Sequence, residues 1–151
     1  MDENTRIVTY IKALYQVIWL TWFHDHATAT PATVIVEFAD GDDCYDWKTH
    51  QLYLRISEAN RDDVLQAISS DFNHRCQPAD WAGWYISLIH EMTHEYQFRS
   101  LNDTATPEGQ SLFDDPPKKW RDPGHGVGFY SAIVNRAAYF GLDPAKFCQY
   151  L

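Results

Sequence analysis

The residues best suited to chemistry in this sequence are His90, Glu91 and His94, which form an HExxH pattern. Residues four positions apart on an α-helix lie about 40° apart around its axis, so the two histidines can direct imidazole nitrogens at one metal ion. Glu91 projects from the neighbouring position, where its carboxylate can take a proton from a water molecule that the metal activates. The pattern therefore predicts zinc-dependent hydrolysis of an amide bond, with His90 and His94 as ligands and Glu91 as general base.

The sequence around this pattern predicts a long and buried helix. Pro78 and Asp80 provide a stop signal and an N-cap, and the helix should run to about Arg99. Apolar residues recur at helical spacing and cover much of the circumference, which indicates a central helix. They are Trp81, Trp84, Tyr85, Leu88, Ile89, Met92 and Tyr96. Because buried histidines need polar partners, the alternative to metal binding is that His90 and His94 are hydrogen-bonded core residues.

A catalytic zinc typically has three protein ligands and an open position for water, so the pattern needs one more ligand. His125 is the best candidate, because the glycines on both sides of it allow a close approach of the backbone to a metal. It lies at the start of a helical pattern that Asp122 and Pro123 introduce and Gly141 ends. Glu95 lies about 100° from His94 on the helix, which favours a supporting or salt-bridge role. The weaker competitors are His74, Glu108, Asp114 and Asp115.

The rest of the chain predicts a mixture of helices and strands. Amphipathic spacing predicts a helix over residues 4–23 and another over 60–72, which Ser57 should cap. β-branched and alternating apolar residues predict a strand over 33–38 and a hairpin of strands over 44–47 and 51–56. The expected fold class is α+β, with an N-terminal helix, a small three-stranded sheet, the HExxH helix and a following ligand helix.

Length and composition predict one domain over residues 1–151, with 45% hydrophobic residues for a core. The net charge of −9 argues against nucleic acid as a partner, since such binding depends on clustered Lys and Arg. The three cysteines contain no CxxC pair and suggest neither disulfides nor a cysteine zinc site. No signal peptide or membrane-spanning run is apparent, so we expect a cytoplasmic protein, although leaderless export would leave the same sequence.

A long segment over residues 100–124 separates the HExxH helix from His125 and is rich in proline, glycine and aspartate. Such residues prevent regular structure, and long loops of this kind are usually functional or disordered. We expect a rim or lid over the site, with Leu112, Phe113 and Trp120 as anchors or substrate contacts.

The HExxH pattern and the segment that begins at His125 resemble two motifs of a known family. His90-Glu91-Met92-Thr93-His94, followed by His125-Gly126-Val127-Gly128-Phe129, is similar to the HExxH and HGxxF pair of SprT-like zinc metallopeptidases. The resemblance covers the order of elements from about residue 51 to 142 and implies a zincin-like fold. It implies that His90, His94 and His125 bind zinc and that Glu91 is the general base. The cysteine ribbon of many members is absent and the chain is acidic, so the resemblance implies the activity rather than the DNA-linked roles.

The expected reaction is hydrolysis of a peptide bond in a peptide or protein substrate. Tyr130 is a possible donor to the negative charge that develops on the carbonyl oxygen, and Arg121 and Tyr96 are further candidates. By analogy with zincin clefts, the strand over residues 52–56 is expected to bind substrate along an exposed edge. The alternative function is a non-catalytic binding or regulatory module that zinc stabilises. A nucleobase deaminase would need H-x-E and P-C-x-x-C motifs, and the sequence has neither.

Overall fold

The computed structural model describes residues 1–23, 30–70, 82–99, 127–139 and 143 of the chain. Within these ranges the chain forms four helices and three strands. In order they are α1 (Glu3–Trp22), β1 (Thr33–Glu37), β2 (Cys44–Asp46), β3 (Gln51–Arg55), α2 (Glu58–Ser69), α3 (Gly83–Arg99) and α4 (Val127–Tyr139). Helices combined with a small mixed sheet make an α+β fold, so the expected class is confirmed.

The first helix lies along the HExxH helix. It begins after Asp2, whose side chain accepts a hydrogen bond of 2.7 Å from the Thr5 backbone N–H and so caps the first turn. Most of its apolar stripe is buried, as the spacing predicts, but Val17 of that stripe is exposed. The ring centroids of Tyr10 and Trp84 lie 6.2 Å apart, and those of Phe23 and Tyr96 lie 5.5 Å apart. Aromatic contacts near both ends of α3 thus hold α1 against it.

The sheet has the strand order β1-β3-β2 in the described part of the chain. β2 and β3 pair antiparallel, which confirms the predicted hairpin, while β1 pairs parallel with β3 on its other side. Leu52 and Leu54 are buried on one face of β3, as its alternation predicts. The prediction that the strand over 52–56 offers an exposed edge is wrong, because β3 has a hydrogen-bonded neighbour on each side. The parallel partner comes from a distant segment, which the local pattern does not reveal.

The second helix begins two residues earlier than predicted. Ser57 does occupy the N-cap position, but its side chain makes no capping hydrogen bond. Its backbone carbonyl accepts hydrogen bonds from the N–H groups of Asn60 and Arg61 instead. The predicted last residue, Phe72, lies outside the described residues.

The HExxH helix is the most buried helix of the described chain. Every residue from Glu91 to Phe98 is buried, and the helix ends at Arg99, which confirms two predictions from its sequence. The proposed N-cap, Asp80, lies outside the described residues. The described helices include none that is both long and apolar enough to cross a membrane.

The fourth helix is joined to α1 and α3 through a buried arginine. The guanidinium of Arg136 donates hydrogen bonds to the Trp22 carbonyl oxygen at 2.7 Å and to the Tyr96 hydroxyl at 3.1 Å. It also lies over the Tyr96 ring, 4.4 Å from the ring centroid. Arg136 therefore helps to fix α4 beside the HExxH helix. The loop over residues 100–124, the helix start at Asp122 and Pro123, and Gly141 lie outside the described residues.

Candidate metal centre

The two histidines of the HExxH pattern project from the same side of α3. Their ring centroids are 5.0 Å apart, and the ring planes are inclined by 69°. Two imidazoles that bind one tetrahedral zinc at about 2.1 Å place their ring centroids roughly 5 Å apart. The separation of His90 and His94 thus fits a shared zinc ion. Only 8% of the His94 surface is exposed, so a metal bound there would be largely shielded from solvent.

The Nδ1 atom of His94 lies 3.1 Å from the side-chain oxygen Oε1 of Gln97, one helical turn further on. A carbonyl oxygen can only accept a hydrogen bond, so this contact favours the neutral form of His94 that carries its proton on Nδ1. In a neutral imidazole the lone pair then belongs to Nε2, and a metal requires that lone pair. Histidines that bind metals almost always donate their other ring N–H in this manner.

Phe129 of α4 packs directly against both histidines. Its ring lies 4.3 Å from that of His94 and nearly parallel to it, with an angle of 28°. The distance from the Phe129 centroid to that of His90 is 5.0 Å. Phe129 is fully buried and belongs to the second sequence motif, four residues after His125. The fold therefore brings the described end of the second motif onto the first motif.

Glu91 lies on the side of α3 that faces β2. Around the helix axis, Glu91 lies about 60° from His94. Ser87 and Phe98 are displaced from His94 in the same direction, by about 20° and 40° respectively. The Ser87 side chain hydrogen-bonds to Asp43, which immediately precedes β2. At the other end of that strand, Tyr45 and Trp47 place their rings 6.2 and 5.9 Å from the ring of Phe98.

β2 is therefore attached to α3 both before and after the HExxH pattern. The anchors Ser87 and Phe98 enclose the helical segment that carries His90, Glu91 and His94. Since β2 pairs with β3 on one side only, it is an edge strand of the described sheet. An edge strand thus runs beside the candidate site, although it is a different strand from the one that the sequence suggested.

Glu95 supports the helix from the side that faces α1. It is fully buried, and its two carboxylate oxygens accept hydrogen bonds of 2.7 and 2.9 Å from the Tyr15 hydroxyl. The same hydroxyl accepts a hydrogen bond from the Ala32 N–H, just before β1. Burial raises the pKa of Glu95 to about 7, and the hydrogen bond from Tyr15 opposes this rise only in part. Glu95 therefore has the supporting role that its position on the helix predicts, with a tyrosine as its partner.

Because of this raised pKa, we expect Glu95 to make folding depend on pH. Between the ordinary pKa of 4.5 and the folded value of about 7, the folded chain holds a proton that the unfolded chain has lost. The contribution to stability is complete below about pH 4.5 and is lost as the pH rises to about 7, by on the order of 3 kcal/mol. Glu95→Gln removes this titration and keeps an amide that can hydrogen-bond to Tyr15.

The measurement is the free energy of unfolding from pH 5 to 8 for the metal-free wild type and for Glu95→Gln. The wild type should lose stability relative to the variant as the pH rises, and comparison of the two cancels the contributions of other groups. An exposed change on α2, Glu58→Gln, serves as the control and should leave the pH dependence unaltered. A constant difference between wild type and Glu95→Gln across this range would contradict the expectation.

Several predicted site residues lie outside the described residues. These are His125, Arg121, His74, Glu108, Asp114, Asp115 and the side chain of Tyr130. In the described ranges, no three His, Cys, Asp or Glu side chains are grouped as a possible metal site. Tyr96, the remaining candidate donor, lies about 160° around α3 from His94. Its hydroxyl accepts a hydrogen bond from Arg136, so it belongs to the contact between α3 and α4.

Sequence reasoning missed two residues of the site. Gln97 is three positions after His94, and this spacing places the two side chains on one helical face, so the contact could have been found from the sequence. The Tyr15 contact with Glu95 joins residues 80 positions apart, and no local pattern indicates it.

No model of a protein family, no curated protein and no solved structure matches this chain.

Proposed function

We propose that the chain is a zinc-dependent metallopeptidase of SprT-like character with a zincin-like fold. The observation that supports this most is the pair His90 and His94, whose ring centroids are separated by 5.0 Å, as a shared zinc would require. The Gln97 oxygen at Nδ1 of His94 adds support, because it favours a lone pair on Nε2, which metal binding requires. Phe129, from the second motif of the proposed family, packs on both rings.

In this proposal His90, His94 and His125 hold the zinc. His125 is assigned from the sequence motif, and the contact of Phe129 with both histidines supports a ligand from the segment that leads into α4. Bound zinc would polarise the peptide carbonyl and make a water molecule more acidic. The low exposure of Glu91 and His94 keeps bulk water away from the reacting groups.

Glu91 has the role of proton carrier. Its carboxylate takes a proton from the attacking water and then transfers it to the nitrogen of the leaving amine. The position next to His90 gives Glu91 access to the water without binding the metal itself. A site that only stabilises a fold needs no such base, so Glu91 favours catalysis over the alternative of a non-catalytic zinc module. Tyr130 remains the proposed donor to the carbonyl oxygen.

The proposed substrate is an extended stretch of peptide that pairs with β2. The attachment of β2 to Ser87 on one side of the HExxH pattern and to Phe98 on the other makes it the edge strand beside Glu91. An added strand would hydrogen-bond through its backbone, so the preference for particular side chains should be modest. β2 thus takes the place of the strand over residues 52–56 as the proposed substrate-binding strand.

Pairing with β2 makes a prediction about the backbone of the substrate. Successive residues of a strand direct their N–H groups to opposite sides, so only alternate amides of the substrate can bond to β2. In a series of peptides, each N-methylated at one amide, we expect KM to rise strongly at alternate positions and weakly between them. A uniform effect along the peptide would contradict strand addition, whereas the matched peptide without methylation gives the reference rate.

The decisive test of the proposed function combines metal analysis with cleavage. Protein purified without added metal is examined by mass spectrometry for zinc, and its cleavage of an unstructured protein is measured before and after chelation. We expect one zinc per chain, and cleavage that chelation stops and added zinc restores. A chain that holds no zinc even when zinc is supplied would overturn the proposal.

A further inference from the structure

Gln97 is a fully buried polar side chain on the helix that carries both histidines of the HExxH pattern. Burial of an amide is costly unless it is hydrogen-bonded, so a glutamine at this position needs a partner. One of its partners is the Nδ1 atom of His94, at 3.1 Å.

The bond selects one of the two neutral forms of the His94 ring. Neutral imidazole carries its proton on either Nδ1 or Nε2, and its surroundings decide between them. The Gln97 oxygen can accept a hydrogen bond from an Nδ1–H group, so it favours the neutral form in which Nδ1 carries the proton and Nε2 keeps its lone pair.

Phe129 restricts the same ring in a second way. Its ring is stacked on that of His94 at 4.3 Å, with an angle of only 28° between the planes. A ring in such contact cannot turn freely about its bond to Cβ, because rotation would drive its edge into the buried phenylalanine. Phe129 thus fixes the plane of the His94 ring, and Gln97 fixes which edge of that ring carries the proton.

We infer that Gln97 is a positioning residue, which presents Nε2 of His94 to the metal before the metal arrives. This inference rests on the proposed zinc site. A histidine that is already oriented binds its metal without first losing the freedom to reorient.

The first measurement determines which nitrogen of His94 carries the proton while Gln97 is unchanged. Two-bond proton–nitrogen correlation spectra of the metal-free, ¹⁵N-labelled protein distinguish the two neutral forms of histidine at a pH where the rings are uncharged. The His94 signals are identified by their loss in His94→Gln. We expect the proton of His94 on Nδ1. A proton on Nε2 in the wild type would overturn the inference.

The second measurement compares variants at position 97. Gln97→Met keeps the size and removes the acceptor, and we expect the His94 proton to shift towards Nε2 and zinc to bind about 10–100-fold more weakly. Gln97→Glu keeps an acceptor and should retain both the Nδ1 proton and the zinc affinity. Gln16→Met, on the exposed face of α1, is the matched control and should change neither.

The outcomes separate this inference from the proposed function. A wild type that binds zinc, with unchanged affinity and His94 form in Gln97→Met, would overturn the role of Gln97 and leave the zinc site standing. A wild type that binds no zinc would overturn the proposed function, and the inference with it. Because the wild-type spectrum is read independently, a Gln97→Met chain that fails to fold does not remove the test.

Discussion

Replacement of Glu91 by glutamine is expected to lower the rate of peptide-bond cleavage by about 10²–10⁴-fold, the usual contribution of a general base. Glutamine has nearly the same shape as glutamate but cannot accept a proton, so the water would lose its base while the ligands stay in place. Zinc content should therefore be unchanged. The measurement is kcat/KM for an unstructured protein or a peptide derived from it, together with the zinc content of both proteins.

The comparison of Glu91→Gln with Glu58→Gln controls for the loss of one negative charge. Glu58 lies exposed in the first turn of α2, a different helix from the one that carries the histidines, so its replacement should alter neither zinc content nor cleavage. If the wild type cleaves no better than Glu91→Gln on several substrates while both hold zinc, catalysis by Glu91 is contradicted. That result would favour the alternative of a non-catalytic module that zinc stabilises.

The sequence predicted the local elements of this fold well. Apolar residues recur at helical spacing in α1 because one face of that helix is buried, and they cover much of the circumference of α3 because that helix is central. The end of α3 at Arg99 and the hairpin of β2 with β3 also follow from nearby residues. Similarly, the contact between His90 and His94 depends on helical geometry alone, since the two residues are one turn apart.

The parts that the sequence did not predict depend on contacts between distant segments. β1 pairs with β3 and thereby covers the remaining edge of β3, so β3 is central in the described sheet and β1 and β2 are its edge strands. The expected binding strand changes for this reason. The hydrogen bond from Tyr15 to Glu95 was also not predicted, because it joins two helices that are far apart in the chain. Patterns of polarity specify which face of an element is buried, but they do not specify which partner buries it.

Replacement of His125 by alanine is expected to weaken zinc binding by more than about 100-fold, beyond the range typical of residues that only orient a ligand. His125 is proposed as the third ligand, and two imidazoles from one helix turn would leave the zinc with too few protein donors. Cleavage should fall together with zinc content. The affinity is measured by competition with a chelator of known strength, for the wild type, His125→Ala and Gln97→Met.

A matched control loses a different histidine. His50 has a backbone φ of 54° and bonds to Tyr45 and to the Thr30 carbonyl, at the start of β3. Asparagine tolerates such a backbone conformation, so His50→Asn removes an imidazole with little backbone strain and should leave the zinc affinity unchanged. A zinc affinity in His125→Ala equal to that of the wild type would contradict the assignment.

In that event the carboxylates that compete with His125 become the candidates. Separate replacement of Glu108, Asp114 and Asp115 by their amides would then identify the third ligand by the loss of zinc. A carboxylate ligand would add a negative charge that an imidazole does not, and would make the bound zinc a weaker Lewis acid. The effect of His125→Ala therefore decides both the composition of the ligand set and how strongly zinc can activate water for Glu91.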